Sequence, residues 1–197
     1  MRHSSLFAAS AAVLTLALAA CSPASNAPAD TAPQAPPAAT PAPSTAPAPT
    51  PATSPKVLGL EGLGDLRIGQ PVPAGSAWAS RGAQASDSCT TITSPDYPGV
   101  YAIVTDGKVQ RITLGQRSDV KLAEGTGVGD SEADVKKWFA GFREEPHKYE
   151  AAPAKYLTAP NAESGDPALR FEIGADGKVK LIHIGVAPVL GYVEGCS

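Results

Sequence analysis

Residues with strong catalytic or metal-binding chemistry are sparse in this chain. Outside the N-terminal segment its histidines are His147 and His183, and neither stands in an HxH or HExxH spacing. Those spacings bring imidazoles to one metal ion, and the cysteines form no CxxC pair, so neither a metal site nor a cofactor is predicted. The chain also lacks a GxSxG nucleophile elbow. We therefore predict that the protein is not an enzyme.

Tyrosine and histidine side chains form the candidate binding surface. The segment Pro146–Tyr149 follows a predicted helix and mixes basic with aromatic residues. Because exposed tyrosine beside adaptable polar groups is typical of binding surfaces, the candidates are His147, Tyr149, Tyr156 and His183. Two alternatives stay open: Tyr149 fills the seam between helix and sheet, and His183 has a structural role.

The charge distribution argues against nucleic acid as a partner. The net charge is −3, and residues 56–197 carry 15 basic and 18 acidic side chains that are interspersed. A nucleic-acid site needs a basic footprint, which this balance does not provide.

A segment as long as residues 56–197 can bury about two-thirds of its unfolded surface, so it is predicted to fold without a metal.

The N-terminus has the pattern of a targeting signal. Arg2 and His3 precede an apolar run from Leu6 to Ala20, which is shorter than a membrane-spanning helix requires. The run ends in the sequence Leu18-Ala19-Ala20-Cys21. This ending resembles a bacterial lipoprotein signal, so residues 1–20 are interpreted as a signal peptide. The alternative is a secretory signal with a cysteine there by chance.

The lipoprotein resemblance implies that Cys21 carries acyl chains, two or more of which anchor a protein stably. Ser22 follows it, a pattern that implies sorting to the outer membrane, with the domain on either its periplasmic or its surface side. Residues 21–55 hold 11 of the 20 prolines. Proline, alanine and threonine bury too little apolar area to offset the conformational entropy that folding would cost, so this segment is predicted to be a disordered tether.

With Cys21 assigned to lipid, Cys89 and Cys196 remain as an even pair in an oxidising compartment. We predict that they form a disulfide. The alternative is a reactive thiol, for which no neighbouring histidine or CxxC spacing provides support.

The folded segment contains an internal duplication. Aligning Ser94–Gly125 with Ser164–Gly195, without gaps, gives 11 identities in 32 positions. Both copies contain Asp-Gly-Lys-Val, at Asp106–Val109 and at Asp176–Val179. The alignment makes Tyr101 equivalent to Phe171. The units are predicted at about residues 61–123 and 124–197.

Each unit is predicted to be a helix followed by antiparallel strands. Ser131 is a candidate N-cap, and an apolar stripe follows at Val135, Trp138, Phe139 and Phe142. We predict that this stripe packs with Phe171 and Ile173. The equivalent helix of the first unit, near residues 74–81, is weakened by neighbouring proline and glycine.

The predicted strands cover Cys89–Thr93, Val100–Thr105 and Lys108–Leu114 in unit one. In unit two they cover Lys155–Ala159, Leu169–Gly174, Lys178–Ile184 and Leu190–Glu194. The Asp-Gly pairs between the strands predict two-residue type I′ hairpins. The predicted fold class is α+β, with two tandem helix-plus-sheet repeats after the tether.

An Ile-Gly or Val-Gly step before a helix, followed by strands around Asp-Gly-Lys-Val, resembles the repeat of the beta-lactamase inhibitory protein. It also resembles small outer-membrane lipoproteins that assist barrel assembly. The resemblance implies a non-catalytic protein-binding or inhibitory module, anchored to the outer membrane by lipid, whose partner is a cell-envelope protein. The alternative is a glycan or cell-wall binder in which Tyr97, Tyr149, Tyr156 and Tyr192 stack on sugars.

Overall fold

The computed structural model describes residues 56–82, 84, 86 and 88–196. The predicted signal peptide, Cys21 and the tether lie outside the described residues. Within the described part, no helix has the length and apolar character needed to cross a bilayer.

The described chain is mostly β-structure. Its strands are β1 Val57–Gly59, β2 Gly62–Leu63, β3 Leu66–Arg67, β4 Ala79–Ser80, β5 Cys89–Thr93, β6 Val100–Thr105, β7 Lys108–Leu114, β8 Lys121–Leu122, β9 Arg143–Pro146, β10 Lys155–Thr158, β11 Ala168–Ile173 and β12 Val179–Gly185. One α-helix, α1 Glu132–Trp138, and one 3-10 helix, Val189–Gly191, complete the described elements.

The predicted α+β fold of two helix-plus-sheet repeats is wrong. The described residues form 12 strands in two sheets, and α1 has no counterpart in the first half. Near residues 74–81 the chain instead leads into β4, with Trp78 buried at 7% exposure. Pro71 and Pro73 lack amide hydrogens and Gly75 has φ +75°, so helical hydrogen bonding is not sustained there.

The duplication survives in the strands. The larger sheet has the order β4-β5-β6-β7-β12-β11-β10-β9, so each half contributes a four-stranded meander and β7 pairs with β12 at the centre. A backbone hydrogen bond to the strand after each hairpin turn is also repeated. Gly69 N donates to Val109 O at 2.7 Å, and Gly129 N donates to Val179 O at 2.9 Å. The smaller sheet has the order β3-β2-β1-β8.

The two hairpin turns differ by one residue, which shifts the strand before the second turn. Asp106 and Gly107 have φ of 52° and 71°, as the predicted two-residue turn requires. In the second hairpin, Ile173 pairs with Val179 and the turn is one residue longer, so the two-residue prediction at Asp176-Gly177 is wrong. One added residue moves side chains to the other sheet face.

Because of that shift, the Phe171 side chain lies on the core face of the sheet. Ile112 pairs with Ala102, and the repeat-equivalent Ile182 pairs with Phe171. Phe171 therefore takes the place of Ala102 in the core, and the predicted equivalence of Tyr101 with Phe171 is wrong.

Helix α1 has the predicted cap but is shorter than the apolar stripe suggested. Ser131 Oγ accepts a hydrogen bond from Asp134 N at 3.2 Å. The helix ends at Trp138, which is 57% exposed with Lys137 Nζ 5.7 Å from its ring centroid. The prediction that Trp138 lies in the helix–sheet core is therefore wrong.

The remaining aromatic residues of the stripe do pack on the sheet. The ring centroid of Phe139 lies 5.1 Å from that of Phe171, and Phe142 lies 6.0 Å from the same ring. Val135 and Ile173 are fully buried in the same cluster. The predicted strand at Leu190–Glu194 is absent, and the 3-10 helix Val189–Gly191 stands in its place.

Candidate functional site

A cavity of about 330 Å³ opens between the smaller sheet, the end of α1 and the loop after β10. We call it the apolar groove. Its floor includes Phe139, Phe142 and Leu169, and its rim includes Leu60, Ala123 and Asn161. Cavities of this size accept an anchoring apolar side chain or a small ligand.

The groove follows from how the strands are joined. Parallel pairing of β1 with β8 places Leu58 beside Leu122, and both side chains are buried against the larger sheet. Leu60, in the turn after β1, has no such cover and is 48% exposed. A large apolar side chain at the mouth of an apolar cavity is an unusual feature of a water-exposed surface.

The opposite face of the larger sheet is polar and largely covered. We call it the polar face. The cross-strand register aligns one row of its side chains from β10 to β5: Thr158, Arg170, His183, Thr113, Tyr101 and Thr93. Arg111, Thr113 and His183 on this face are at most 5% exposed, so the candidate binding residue His183 is buried.

Two of the predicted binding residues, His147 and Tyr156, meet on the polar face. Their rings stack with centroids 4.8 Å apart. The Nδ1 atom of His147 accepts hydrogen bonds from the amides of Tyr149 at 3.1 Å and Glu150 at 2.9 Å. This places the ring hydrogen on Nε2, which lies 3.3 Å from Glu172 Oε1 outside hydrogen-bond alignment.

Burial limits what this pair can do. The side chains of His147 and Glu172 are 5% and 17% exposed, and Tyr156 is 4% exposed. Desolvation raises the pKa of the Tyr156 hydroxyl, so the phenol stays protonated at neutral pH. The arrangement leaves little surface on which a substrate could contact the imidazole.

Arg170 links this pair to the rest of the face. Its guanidinium carbon lies 4.0 Å from the Tyr156 ring centroid, and its Nη2 lies 3.6 Å from Glu145 Oε2. The same carboxylate accepts a hydrogen bond from Thr158 Oγ1 at 2.9 Å. Arg170, Glu145 and Thr158 therefore form a paired polar cluster and not a free binding surface.

The C-terminal segment, Val186–Cys196, covers the middle of the polar face. Val186 N donates to Gln110 O at 3.0 Å, and Arg111 donates to the carbonyl oxygens of Val189 and Tyr192. The segment ends in the predicted disulfide between Cys89 and Cys196, whose Cα atoms are 5.5 Å apart. The disulfide prediction is confirmed.

Arg111, which is 1% exposed, was not among the residues predicted from the sequence. Its pKa is lowered by desolvation, and its Nε has no hydrogen-bond partner among the described residues. The available signal was the charge of Arg111 one residue before Ile112, inside the strand Lys108–Leu114 whose other charged residue, Lys108, lies at its exposed first position.

The other predicted binding residues lie apart. His183 Nδ1 is 2.9 Å from Thr113 Oγ1. Burial, reinforced by the positive charges of Arg111 and Arg170, lowers the pKa of His183 far below its usual value. His183 is therefore a neutral, hydrogen-bonded structural histidine. Tyr149 is 58% exposed, with Lys148 Nζ 5.1 Å from its ring centroid.

A four-residue charge cluster joins α1 to β9 and β10. Lys155 Nζ lies 3.0 Å from Glu132 and 3.0 Å from Glu144, and Lys136 contacts the same two carboxylates. Hydrogen bonds from Lys136, followed by those from Lys155, lower the pKa of Glu132 and of Glu144. The cluster holds the helix on the sheet edge, and its charges are balanced.

Two further kinds of site remain to be considered, a metal site and a serine–lysine catalytic pair. The described residues contain no group of three His, Cys, Asp or Glu side chains placed to hold a metal ion. An SxxK spacing exists at Ser118 and Lys121, but Lys121 Nζ lies 3.6 Å from Asp130 and Ser118 Oγ accepts from Val120 N. The serine therefore caps a local backbone amide and the lysine pairs with a carboxylate, so the two do not form a nucleophile–base pair.

The chain matches no protein-family model, no curated protein and no solved structure.

Proposed function

We propose that the protein is a non-catalytic binding module of the cell envelope, anchored to the outer membrane by lipid on Cys21. Its proposed partner is an envelope protein, which it binds or inhibits through the apolar groove. The observation that carries this proposal is the groove itself, with Leu60 48% exposed at its rim above two phenylalanines.

The chemistry of the groove favours a protein anchor. Protein interfaces concentrate their binding energy in a few large side chains that fill desolvated pockets. A cavity of about 330 Å³ lined by Leu58, Leu122, Phe139 and Phe142 suits an aromatic or branched aliphatic side chain. Glu124 and Asn161 at its edge offer polar groups for the rim of such an interface.

The other edges of the fold are less suited to a partner. β9, the edge strand next to β10, has the sequence Arg-Glu-Glu-Pro, and its charges and proline oppose strand addition. The C-terminal segment covers the middle of the polar face. Of these three surfaces, the groove is the one that offers an apolar cavity to a partner.

The experiment is photo-crosslinking in intact cells with a photoreactive amino acid at Leu60 of the full chain. We expect one discrete protein adduct from position 60. The matched control places the same amino acid at Tyr192, which is also apolar in part and 40% exposed but lies on the C-terminal segment.

Occlusion of the groove tests whether the adduct depends on it. Ala123 is exposed and lines the groove, so Ala123→Phe should fill the cavity without altering the core. Ala133→Phe, on the exposed side of α1, introduces the same ring elsewhere. Loss of the Leu60 adduct with Ala123→Phe but not with Ala133→Phe supports the proposal. An adduct that survives Ala123→Phe contradicts it.

A further inference from the structure

A second cavity, of about 450 Å³, lies where β5 ends, β6 begins and β7 ends. We call it the basic cleft. Its lining includes Arg81, Thr93, Tyr97, Tyr101, Gln116 and Arg117. No acidic residue lines it within the described part of the chain.

Within the described part of the chain, the two arginines of the cleft have no side-chain partner. Neither the Arg81 nor the Arg117 guanidinium forms an ion pair or a side-chain hydrogen bond with any described residue. Both residues are exposed. In contrast, Arg111 and Arg170 on the same sheet are committed to carbonyl and carboxylate oxygens.

Two glycines hold Arg117 in place. Gly115 N donates to Gly99 O at 2.9 Å, and Ser118 N donates to Gly115 O at 2.9 Å, which closes a turn around Arg117. Gly99 has φ +78°, and a Cβ atom there would lie 2.5 Å from Ser118 N. The turn therefore packs directly on the Gly99 backbone, and a side chain at position 99 would displace it.

Tyr97 is fixed in a similar way. Its ring stacks on Trp78 with centroids 5.7 Å apart and an interplanar angle of 16°. A Cβ atom at Gly64 would lie 2.3 Å from its hydroxyl oxygen, so the tyrosine occupies the space that a side chain at position 64 would take. The cleft therefore combines a packed aromatic side chain with two exposed cationic side chains.

The equivalent place in the second half lacks this chemistry. The repeat offset makes Gly185 equivalent to Gly115, but Val186 and Ala187 stand where Gln116 and Arg117 stand in the first half. The cavity that Ala187 lines contains Glu145 and Glu163, and the arginine in it, Arg170, is already paired. The basic cleft is thus a property of one half and not of the repeated scaffold.

We propose that the basic cleft binds an acidic saccharide, with a carboxylate held by Arg81 and Arg117 and the sugar ring held by the tyrosines. Guanidinium groups pair with planar carboxylates through two parallel hydrogen bonds. Thr93 and Gln116 provide donors and acceptors for sugar hydroxyls. Rigid tyrosines supply apolar contact at low entropic cost, together with a polar hydroxyl. This inference does not rest on the apolar groove.

The test measures calorimetric binding of the full chain to a uronic-acid tetrasaccharide, to a neutral tetrasaccharide of the same length and to inorganic phosphate. We expect binding of the acidic sugar, weakening as salt is raised, and at least ten-fold weaker binding of the other two. Arg117→Gln should reduce the acidic-sugar affinity at least ten-fold. Arg67→Gln, an equal charge change at an exposed arginine on β3, should leave it unchanged.

Four results would overturn the proposal. The first is an absence of binding to the acidic tetrasaccharide. The second is equal affinity for the neutral tetrasaccharide, which would remove the role of the arginines. The third is equal affinity for phosphate, which would reduce the cleft to a simple anion site. The fourth is an equal loss with Arg67→Gln and Arg117→Gln, which would reveal attraction to net charge only.

Discussion

Arg111 donates a hydrogen bond from Nη1 to the carbonyl oxygen of Val189 at 3.1 Å, although the two residues lie 78 positions apart. A second bond from the same nitrogen reaches the carbonyl of Tyr192. A buried guanidinium that bonds only to backbone carbonyls holds the C-terminal segment on the sheet, and the segment in turn shields the charge from water. Each is therefore required for the other to stay buried.

This mutual dependence makes Arg111→Ala strongly destabilising. The substitution leaves two carbonyl oxygens without a donor and opens a cavity, so we expect a loss of about 2–5 kcal/mol in the free energy of unfolding. Arg111→Met should cost at least about 1 kcal/mol less, because methionine fills most of the volume that alanine leaves empty. Denaturant unfolding measures both. An Arg111→Ala loss no larger than that of Arg67→Gln would contradict the assignment.

Trp138 and Phe139 should respond differently to substitution, although the apolar stripe predicted that both lie in the core. Trp138 is 57% exposed, so Trp138→Ala should change stability by no more than about 0.5 kcal/mol. Phe139 packs on Phe171 and Phe142, so Phe139→Ala should cost about 3 kcal/mol. Thermal unfolding of the two variants distinguishes them.

Tryptophan fluorescence provides an independent measurement of the same point. The chain has two tryptophans, and Trp78 is 7% exposed. Trp138→Phe should therefore remove the red-shifted, readily quenched part of the emission and leave the emission of a buried indole. A blue shift in the opposite variant, Trp78→Phe, would show that Trp138 is docked after all.

The features that depend on a few adjacent residues were predictable from the sequence. The Asp106-Gly107 turn, the Ser131 cap and most strand positions follow from local backbone preferences, which act wherever the residues occur. The Cys89–Cys196 pairing was predictable because the chain has three cysteines and Cys21 was assigned to lipid, which left one pair. None of these required knowledge of distant contacts.

The features that depend on distant contacts were not predictable. The added residue in the second turn changes which face Phe171 takes, and its effect appears only once strand pairing is known. The burial of Arg111 and His183 depends on the C-terminal segment lying over the polar face, which alternation along β7 and β12 cannot reveal. A period-two pattern shows that a strand has two faces, but not what covers each of them.

His183 should make the protein less stable at mildly acidic pH. Burial lowers its folded pKa far below the unfolded value of about 6.5. Stability from the neutral ring is thus fully present above pH 6.5 and is lost as the pH falls below it. The loss is up to about 1.4 kcal/mol per pH unit. His183→Asn, which keeps a polar atom near Thr113, should lack this component of the slope between pH 6.5 and 5.5. Equal slopes for both proteins would show that His183 is protonated without cost.

Cys21 should determine where the protein fractionates. In the proposed function, acyl chains on its thiol and amine anchor the chain, so Cys21→Ser should move the protein from the membrane fraction to the soluble fraction. Incorporation of labelled palmitate should be lost in the same variant. Cys89→Ala is the control, because it removes a cysteine without touching the proposed anchor. A Cys21→Ser protein that stays with the membrane would contradict lipid anchoring at this residue.

The disulfide between Cys89 and Cys196 should contribute more stability than any single packing contact. It closes a loop spanning 107 positions, for which the lost entropy of the unfolded chain corresponds to roughly 4–5 kcal/mol. The double variant Cys89→Ala/Cys196→Ala should lose several kcal/mol in denaturant unfolding. A reducing agent should bring the native protein to the same value and leave the variant unchanged.

Hydrogen exchange should locate the loss, because the segment that Arg111 holds would be tied at one end only. Amides from Val189 to Tyr192 should exchange faster while those of β7 and β12 keep their relative protection. No change in the C-terminal segment would show that Arg111 alone holds that segment in place, and uniform acceleration across the sheet would show that the disulfide stabilises the whole fold and not this segment in particular.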